Sequence, residues 1–539
     1  MASLFSFSSS STTLSDCSPS STTSKRETLD LTGSVFLISS DGRTINLPIP
    51  TNSALDPLNW SHSKRAGAFL ALLFSSIAGI SGVQCASLMF KPLSLEFSAN
   101  VSLTALLAAP TLFMGLGAFL WIPLSLAIGR RPVMLLASFS LIPFTLWAGV
   151  SRNFYSLLAA QCCQGFATGA WTSMSNLVII DLTFIHQRPQ AIAMIWSLGG
   201  AIDLLILAFV PYMTDSATDW RMVYLLWLIP STIAFALIFF FLPETYFIRP
   251  AVAFDGRIII QSSTEKIKLY ESWEEVPGGK ALPDLPGKYR DLRIWGTTRG
   301  GWRAMLACYP QILLCFLNPL VFWVTILGAL VFGSMISIGG TYAVVLGGPP
   351  YTLSIHAIGL VNLAGSVGAL LAWPAAGLMI AAITRRLAVK NNGIRDAEYY
   401  LPAFILPVLT GAASVILYGL TIRHEGHWMW IYFSYTLNCF SFASLAAANI
   451  LWVTEAFPRW AAPAIVVVSG VSYMASFGIS ATIIPWVKSQ GYAGANLQIG
   501  GMILGVGFVA IPICFWGKKL RQYIDGRWAV NEMGALRPQ

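Results

Sequence analysis

Long apolar stretches alternate with short polar segments from residue 66 to residue 516. A helix needs about 20 apolar residues to cross the hydrocarbon core of a bilayer, and this pattern repeats twelve times. The pattern therefore predicts an all-α polytopic membrane protein with twelve transmembrane helices. The predicted spans are 66–90, 101–128, 132–150, 154–180, 190–212, 222–242, 314–340, 355–382, 400–422, 428–453, 461–486 and 493–516.

A polar segment at 243–313 divides these spans into two groups of six. We expect an N-terminal six-helix bundle at 66–242 and a C-terminal one at 314–516, joined by a cytosolic central loop. Residues 1–65 and 517–539 are expected to be cytosolic tails. The first 24 residues contain eleven Ser and four Thr, a composition that predicts disorder.

Composition limits the class of protein. Hydrophobic residues make up 55% of the chain and charged residues 11%, against roughly 25% charged residues in soluble domains. These values exclude a soluble enzyme, a disordered scaffold and a small secreted domain. The net charge of +9 comes from short clusters between apolar runs, so we predict no nucleic-acid partner.

No catalytic constellation stands out in the sequence. The eight cysteines lack paired spacing, which argues against a disulfide framework or a metal site. A phosphate-binding loop of the Gly-Lys-Ser/Thr type is absent, so ATP is not expected to drive the protein directly. We therefore predict a protein that is not an enzyme and that needs no cofactor, metal or obligate protein partner.

Lysine and arginine predict the orientation of the chain in the membrane. The short loops assigned to the inside hold eight Lys and Arg, and the outer loops hold five. The inner loops also hold the two basic pairs, Arg130-Arg131 and Arg385-Arg386. We expect both termini in the cytosol and a location in the plasma membrane. Asn100, in the first outer loop, begins an N-x-S sequon and is a candidate for glycosylation.

Polar residues inside the predicted spans are candidates for the transport pathway. Asp203 is the one acidic residue predicted to lie deep in a span, where a carboxylate costs about 2.5–3.5 kcal/mol. Such a group either binds protons or a cationic substrate, or hydrogen-bonds a neighbouring helix while protonated, or lies near the outer headgroups. Gln161 and Gln164 share a face of span 4, and Tyr435 and Asn438 lie on span 10. These four either line the substrate cavity or tie helices together.

Several short motifs at span boundaries resemble those of the major facilitator superfamily, in particular its fungal twelve-span drug:proton antiporters and polyamine-type transporters. They are Asp56-Pro57-Leu58-Asn59-Trp60, Gly129-Arg130-Arg131, Gln164-Gly165, Pro243-Glu244-Thr245 and Asn392-Gly393-Ile394-Arg395-Asp396-Ala397-Glu398. The resemblance implies two six-helix bundles that open alternately to each side of the membrane. It also implies a cytosolic gate, for which Gly129, Arg130, Arg131, Arg385 and Arg386 are the candidates.

The sequence departs from this family at three of these motifs, and the glycine-proline signature associated with antiporters is not recognisable in span 5 at 196–203. Leu126 stands where the signature between spans 2 and 3 has an acidic residue, and Ala381 stands at the equivalent place after span 8. Gln161 replaces an arginine of span 4. Arg130 and Arg131 are therefore expected to lack the usual carboxylate partner.

These observations predict a secondary active transporter that moves a small amphipathic or cationic organic molecule by alternating access. The resemblance favours proton-coupled efflux of a drug or secondary metabolite. One alternative is uptake or facilitated diffusion of a small organic cation such as a polyamine. Another is a membrane sensor that binds ligand without transporting it.

Overall fold

The structure, a computed structural model, describes residues 34–36, 56–97, 103, 105–213, 220–247, 252–254, 257–261, 267–270, 294, 298, 300–391 and 394–528. The disorder predicted for residues 1–24 and the glycosylation predicted at Asn100 lie outside these residues.

Six long helices make up the N-terminal half. The short helix α2, Phe90–Glu96, lies between the first two of them. The long helices are α1 His62–Gln84, α3 Ala105–Ile128, α4 Arg130–Val150, α5 Phe154–Leu182, α6 Arg188–Met213 and α7 Trp220–Phe241.

The C-terminal half contains six further spans, several of which are built from consecutive helical pieces. Short π-helical segments join α10 to α11 and α14 to α15, and a 3-10 segment, Ala397–Phe404, precedes α12. Helix α15 turns at Gly491, where φ is 75°, and so contributes to the last two spans. The helices are α9 Pro319–Gly347, α10 Ile355–Trp373, α11 Ile380–Lys390, α12 Ile405–Arg423, α13 Met429–Ala456, α14 Ala461–Ile465, α15 Ser472–Phe508 and α16 Ala510–Trp528.

The prediction of twelve spans in two bundles is confirmed. Within the described residues, eleven helical spans are long and apolar enough to cross a membrane. The remaining span is α5, whose 29 residues reach about 43 Å at 1.5 Å per residue. Glutamines, serines and threonines make α5 less apolar than the other spans.

Span 7 begins at Pro319, five residues after the start predicted at residue 314. Residues 301–317 form a separate helix, α8 Gly301–Leu317, and the span begins at Pro319. The Asn318 side chain separates the two helices, because its Oδ1 accepts a hydrogen bond from the Leu320 N–H at 3.0 Å and caps α9. The uncharged sequence around this break hides it from a hydropathy pattern.

Two small antiparallel sheets lie outside the spans. Strand β1, Ser34–Phe36, pairs with β5, Ile394–Asp396, with Val35 opposite Arg395. The other sheet described is a three-stranded meander. Its strands, which follow α7 in the sequence, are β2 Val252–Phe254, β3 Arg257–Gln261 and β4 Ile267–Tyr270.

The two halves pack through α6 against α10 and through α3 against the segment from α14 to α15. Small residues allow this approach: a Cβ atom on Gly115 would lie 2.6 Å from the carbonyl oxygen of Gly470. The Ser366 hydroxyl donates to the Ala201 carbonyl at 2.7 Å across the other seam. Close packing of small residues is a common basis of helix association in membranes.

Candidate functional site

A cavity lies between the two halves of the protein. Helices α1, α3, α5 and α6 contribute one part of its wall, and α9, α10, α13 and α15 contribute the other. Its wall is largely apolar and aromatic, with hydroxyl and amide groups from the N-terminal half. A concave, mostly apolar site with a few polar groups is the usual form of a small-molecule site.

Asp203 is the only charged residue among the described residues that line this cavity. It lies on α6 and is 4% exposed. The Ser81 hydroxyl, on α1, donates a hydrogen bond to its Oδ1. This contact fixes one carboxylate oxygen in the N-terminal half, so that the group lies at the cavity wall in a defined position.

Polar groups of α5 surround the same cavity. Thr172, Ser175 and Asn176 line it, and the Asn176 Oδ1 accepts a hydrogen bond from the Trp196 indole at 3.2 Å. The Ser175 hydroxyl is buried and has no hydrogen-bond partner among the residues that the structure describes. Because buried polar groups are normally hydrogen-bonded, a ligand or water that enters the cavity can satisfy it.

An aromatic series crosses the cavity from one half to the other. Trp196, in the N-terminal half, contacts Phe442 edge-on with 5.9 Å between ring centroids. Phe442 stacks on Phe332 at 5.0 Å, and Phe332 meets Tyr473 at 4.7 Å. Faces of aromatic rings attract organic cations and pack against apolar groups, so this wall suits a ligand with both properties.

Gln161 and Gln164 do not line the cavity. The Gln161 amide donates to the Tyr224 hydroxyl at 2.5 Å, and the Gln164 amide donates to the Thr145 hydroxyl at 2.9 Å. Both bonds join α5 to other helices of the N-terminal half. The structure therefore matches the alternative in which these amides tie span 4 to its neighbours.

Tyr435 and Asn438 also lie outside the cavity lining. The Asn438 amide donates to the hydroxyls of Ser334 at 3.2 Å and Ser414 at 3.0 Å, which joins α13 to α9 and α12. Tyr435 is buried against Gly365 and against the Tyr342 ring, at 5.6 Å. Cys439, on the same helix, reaches the cavity instead.

A buried ion-pair cluster joins the halves where α5 ends and α6 begins, which we call the Arg188 end. Arg188 Nη1, from the N-terminal half, lies 3.0 Å from Glu455 Oε1 on α13. Arg395 Nη2, from β5, lies 2.8 Å from Glu455 Oε2. Each oxygen of one carboxylate thus has its own arginine, and the contact closes this end of the seam.

His186 lies close to the same cluster. Burial, and then the positive charge of Arg395, lower the pKa of His186 below its usual range. Its imidazole therefore stays neutral at pH 7 and adds no further positive charge to the two arginines.

Arg130 and Arg131 lack the usual carboxylate at position 126, but carboxylates from other segments contact them. The Glu244 carboxylate accepts hydrogen bonds from the backbone N–H groups of Arg130, at 2.9 Å, and of Arg131, at 3.2 Å. Arg130 Nε lies 3.5 Å from Asp181 Oδ2. Two carboxylates from elsewhere in the N-terminal half thus replace the one missing from the signature.

Gly129 forms the turn that makes this arrangement possible. Its φ of 103° and ψ of 166° fall in a region open almost only to glycine. A Cβ atom there would collide with the Glu244 carboxylate. Burial raises the pKa of Glu244, and hydrogen bonds from three backbone N–H groups oppose that rise.

Arg385 and Arg386, on α11, are exposed and form no ion pair with the residues that the structure describes. Of the predicted gate residues, Gly129, Arg130 and Arg131 contact Glu244 or Asp181 of the N-terminal half. The ion pair that bridges the halves was missed from the sequence. In the sequence, Arg188 lies in a short loop assigned to the inside and Glu455 follows predicted span 10, and nothing else relates the two.

A family model described as Major Facilitator Superfamily matches residues 67–476. The chain belongs to this family. The match begins within α1 and ends within α15, so it includes every residue that lines the cavity and stops before the last span.

Fungal members of the major facilitator superfamily are among its relatives. The MFS transporter cpaT of Aspergillus oryzae is 26% identical over 89% of this chain and 92% of its own length. The Cycloheximide resistance protein of Candida maltosa is 24% identical over 86% of this chain and 83% of its own length. Among solved structures, the proton:xylose symporter XylE matches with a TM-score of 0.57, 14% identity, and coverage of 85% of this chain and 96% of that one.

Membership of this superfamily places the chain among membrane transporters, and its many apolar helices make it a multi-pass membrane protein. The likeness to XylE concerns the fold alone. Substrate, coupling and direction have to be argued from the cavity and its contacts.

Proposed function

We propose that the protein is a proton-coupled exporter of small amphipathic or cationic organic molecules. The observation that carries this proposal is Asp203, the charged side chain in an otherwise neutral and aromatic cavity between the halves. A carboxylate in such a place attracts either a proton or the positive charge of a substrate. Because one carboxylate holds either the proton or the substrate at a time, exchange between them couples proton movement to substrate movement.

The cluster at the Arg188 end acts as the gate in this proposal. The excess of Lys and Arg in the short loops at this end favours its assignment to the cytosolic side. Both termini then lie in the cytosol, and we propose the plasma membrane as the location. Opening to the cytosol requires separation of Arg188 from Glu455, while Arg395 continues to neutralise that carboxylate.

Export is supported by the nature of the cavity and by the relatives. Trp196 and Phe442 offer ring faces rather than a dense set of hydrogen-bonding groups, which suits amphipathic molecules better than sugars or peptides. The relative named as a cycloheximide resistance protein is consistent with removal of a toxic compound.

Reconstituted vesicles with an imposed proton gradient test the proposal. We expect proton-driven movement of a labelled lipophilic cation by the unaltered protein, and a loss of at least tenfold for D203N. D203E, which keeps the charge, should retain part of the activity. Full gradient-driven transport by D203N would contradict the coupling role.

The same vesicles separate the alternatives. Movement of spermidine down its own gradient, unaffected by the proton gradient, would identify a facilitator of organic cations instead. Saturable binding of the labelled cation with no movement across the membrane would identify a sensor.

A further inference from the structure

The short strand β1 links the segment before the first span to the opposite half of the protein. Residues 34–36 pair antiparallel with residues 394–396, which lie between α11 and α12 in the C-terminal half. Residues 37–55 connect this strand to the helical cap at Asp56, where the N-terminal half begins. A backbone contact of the N-terminal segment therefore lies on the far side of the seam between the halves.

The strand that β1 pairs with carries a residue of the ion-pair cluster. Val35 stands opposite Arg395, and Arg395 is 3% exposed with its Nη2 2.8 Å from Glu455. Glu455 uses its other oxygen to hold Arg188 of the N-terminal half at 3.0 Å. The backbone position of β5 thus decides whether the Arg395 guanidinium reaches the carboxylate that bridges the halves.

Side chains already hold β5 from the C-terminal half. From α16, Lys518 Nζ lies 3.3 Å from Asp396 of β5, and Arg521 pairs at 3.1 Å with Glu398, two residues after the strand. These contacts fix side chains and leave backbone groups of a three-residue strand to be paired. Strand β1 supplies that pairing, since an unpaired strand edge is a template for an added strand.

We infer that residues 34–36 act as a cis-acting strand that holds Arg395 in the ion-pair cluster and thereby favours closure of the Arg188 end. With Arg395 fixed on one oxygen, the Glu455 carboxylate presents its other oxygen to Arg188. Without the strand, Arg395 and the carboxylate gain freedom, and the contact between the halves weakens. The inference rests on the proposed function only in taking separation at this end as a step of transport.

Hydrogen exchange measured by mass spectrometry on the full chain in lipid nanodiscs tests this inference without any substrate. The test variant is V35P/F36P, because proline lacks the backbone N–H. Pairs in an antiparallel ladder alternate between hydrogen-bonded and not, so two adjacent prolines remove at least one donor. The matched control is V35A/F36A, which keeps both backbone donors.

We expect V35P/F36P to exchange roughly fivefold to tenfold faster in peptides covering 184–192 and 450–458, as the loss of one or two hydrogen bonds predicts. V35A/F36A should exchange like the unaltered protein. The inference is overturned if faster exchange is confined to 394–398, if exchange at the Arg188 end slows, or if the alanine variant behaves like the proline variant.

A second comparison separates a specific effect from general loosening. In an E455Q background, V35P/F36P should cause no further increase in exchange at 184–192, because the carboxylate that links Arg395 to Arg188 is gone. An undiminished effect of V35P/F36P in this background would overturn the inference. At the Arg188 end, a variant lacking residues 2–33 should exchange like the unaltered protein, and one lacking residues 2–36 should exchange faster, like V35P/F36P. Because exchange needs no transported molecule, these results stand whether or not the vesicle assays detect export.

Discussion

The Arg188 guanidinium lies 3.0 Å from the Glu455 carboxylate, and this buried pair joins residues that are 267 positions apart in the chain. One belongs to the first turn of α6 and the other to the last turn of α13. The two helices belong to different halves, so any opening at this end has to break the pair. Its strength therefore contributes directly to the balance between closed and open forms.

The first prediction concerns this balance. Loss of one partner from a buried charge pair costs about 3–5 kcal/mol when the other is left unpaired. In R188Q, Arg395 still neutralises Glu455, so we expect a smaller cost to the closed form, about 1–2 kcal/mol. The open population at the Arg188 end should then rise roughly tenfold. Hydrogen exchange in peptides covering 184–192 and 450–458 measures this rise.

R385Q is the matched control for R188Q. It makes the same change at an exposed arginine that forms no ion pair with the described residues. We expect its exchange at both peptides to equal that of the unaltered protein. If R385Q opens this end and R188Q does not, the gate lies at the basic pair that the family resemblance suggested.

The second prediction concerns the turn at Gly129. G129A places a side chain in a backbone region that costs about 1–3 kcal/mol for residues other than glycine. It also displaces the Glu244 carboxylate, which accepts hydrogen bonds from the backbone N–H groups of Arg130 and Arg131. We expect a clear loss of thermal stability, measured as Tm in detergent by intrinsic tryptophan fluorescence.

G501A serves as the control for G129A. Gly501 is an exposed helical residue with open space where a Cβ would stand. Alanine is favoured over glycine in a helix by up to about 1 kcal/mol, so Tm should stay the same or rise. Equal Tm values for the two variants would show that the Gly129 turn tolerates a side chain.

The sequence predicts the spans well because crossing a bilayer requires length and low polarity, and both can be read along the chain. It also singles out Asp203, since a carboxylate that deep in a span is costly and rare. The structure places this residue on the cavity wall. The start of α9 was missed because Leu317 and Pro319 are both apolar, and only the Asn318 cap marks the boundary.

Contacts between distant segments could not be predicted in the same way. The spacing of Gln161 and Gln164 places them on one face of α5 but does not reveal that this face meets α4 and α7. The acidic partner of Arg130 and Arg131 was sought one turn away, whereas Glu244 lies more than a hundred residues later. Such pairs follow from the packing of helices against one another, which cannot be read from the spacing of residues along the chain.

The third prediction concerns pH and the opposite end of the N-terminal half. There, the Glu96 carboxylate accepts hydrogen bonds from Arg221 Nη1 at 2.9 Å and from the Trp220 indole at 2.6 Å. The Arg221 guanidinium is the main cause that lowers the pKa of Glu96 below its ordinary value of 4.5. A carboxylate with a lowered pKa in the folded state stabilises the protein above its unfolded pKa and loses that contribution as pH falls through the folded value.

The Tm of the unaltered protein should therefore exceed that of E96Q by a constant margin above about pH 4.5, and the margin should shrink as pH falls further. The pair is about one-third exposed, so added salt should also reduce the margin. E425Q, which removes an exposed glutamate without an ion pair among the described residues, is the matched control. A margin for E96Q that is unchanged by acid would mean that Glu96 does not clamp α2 to α7 through its charge.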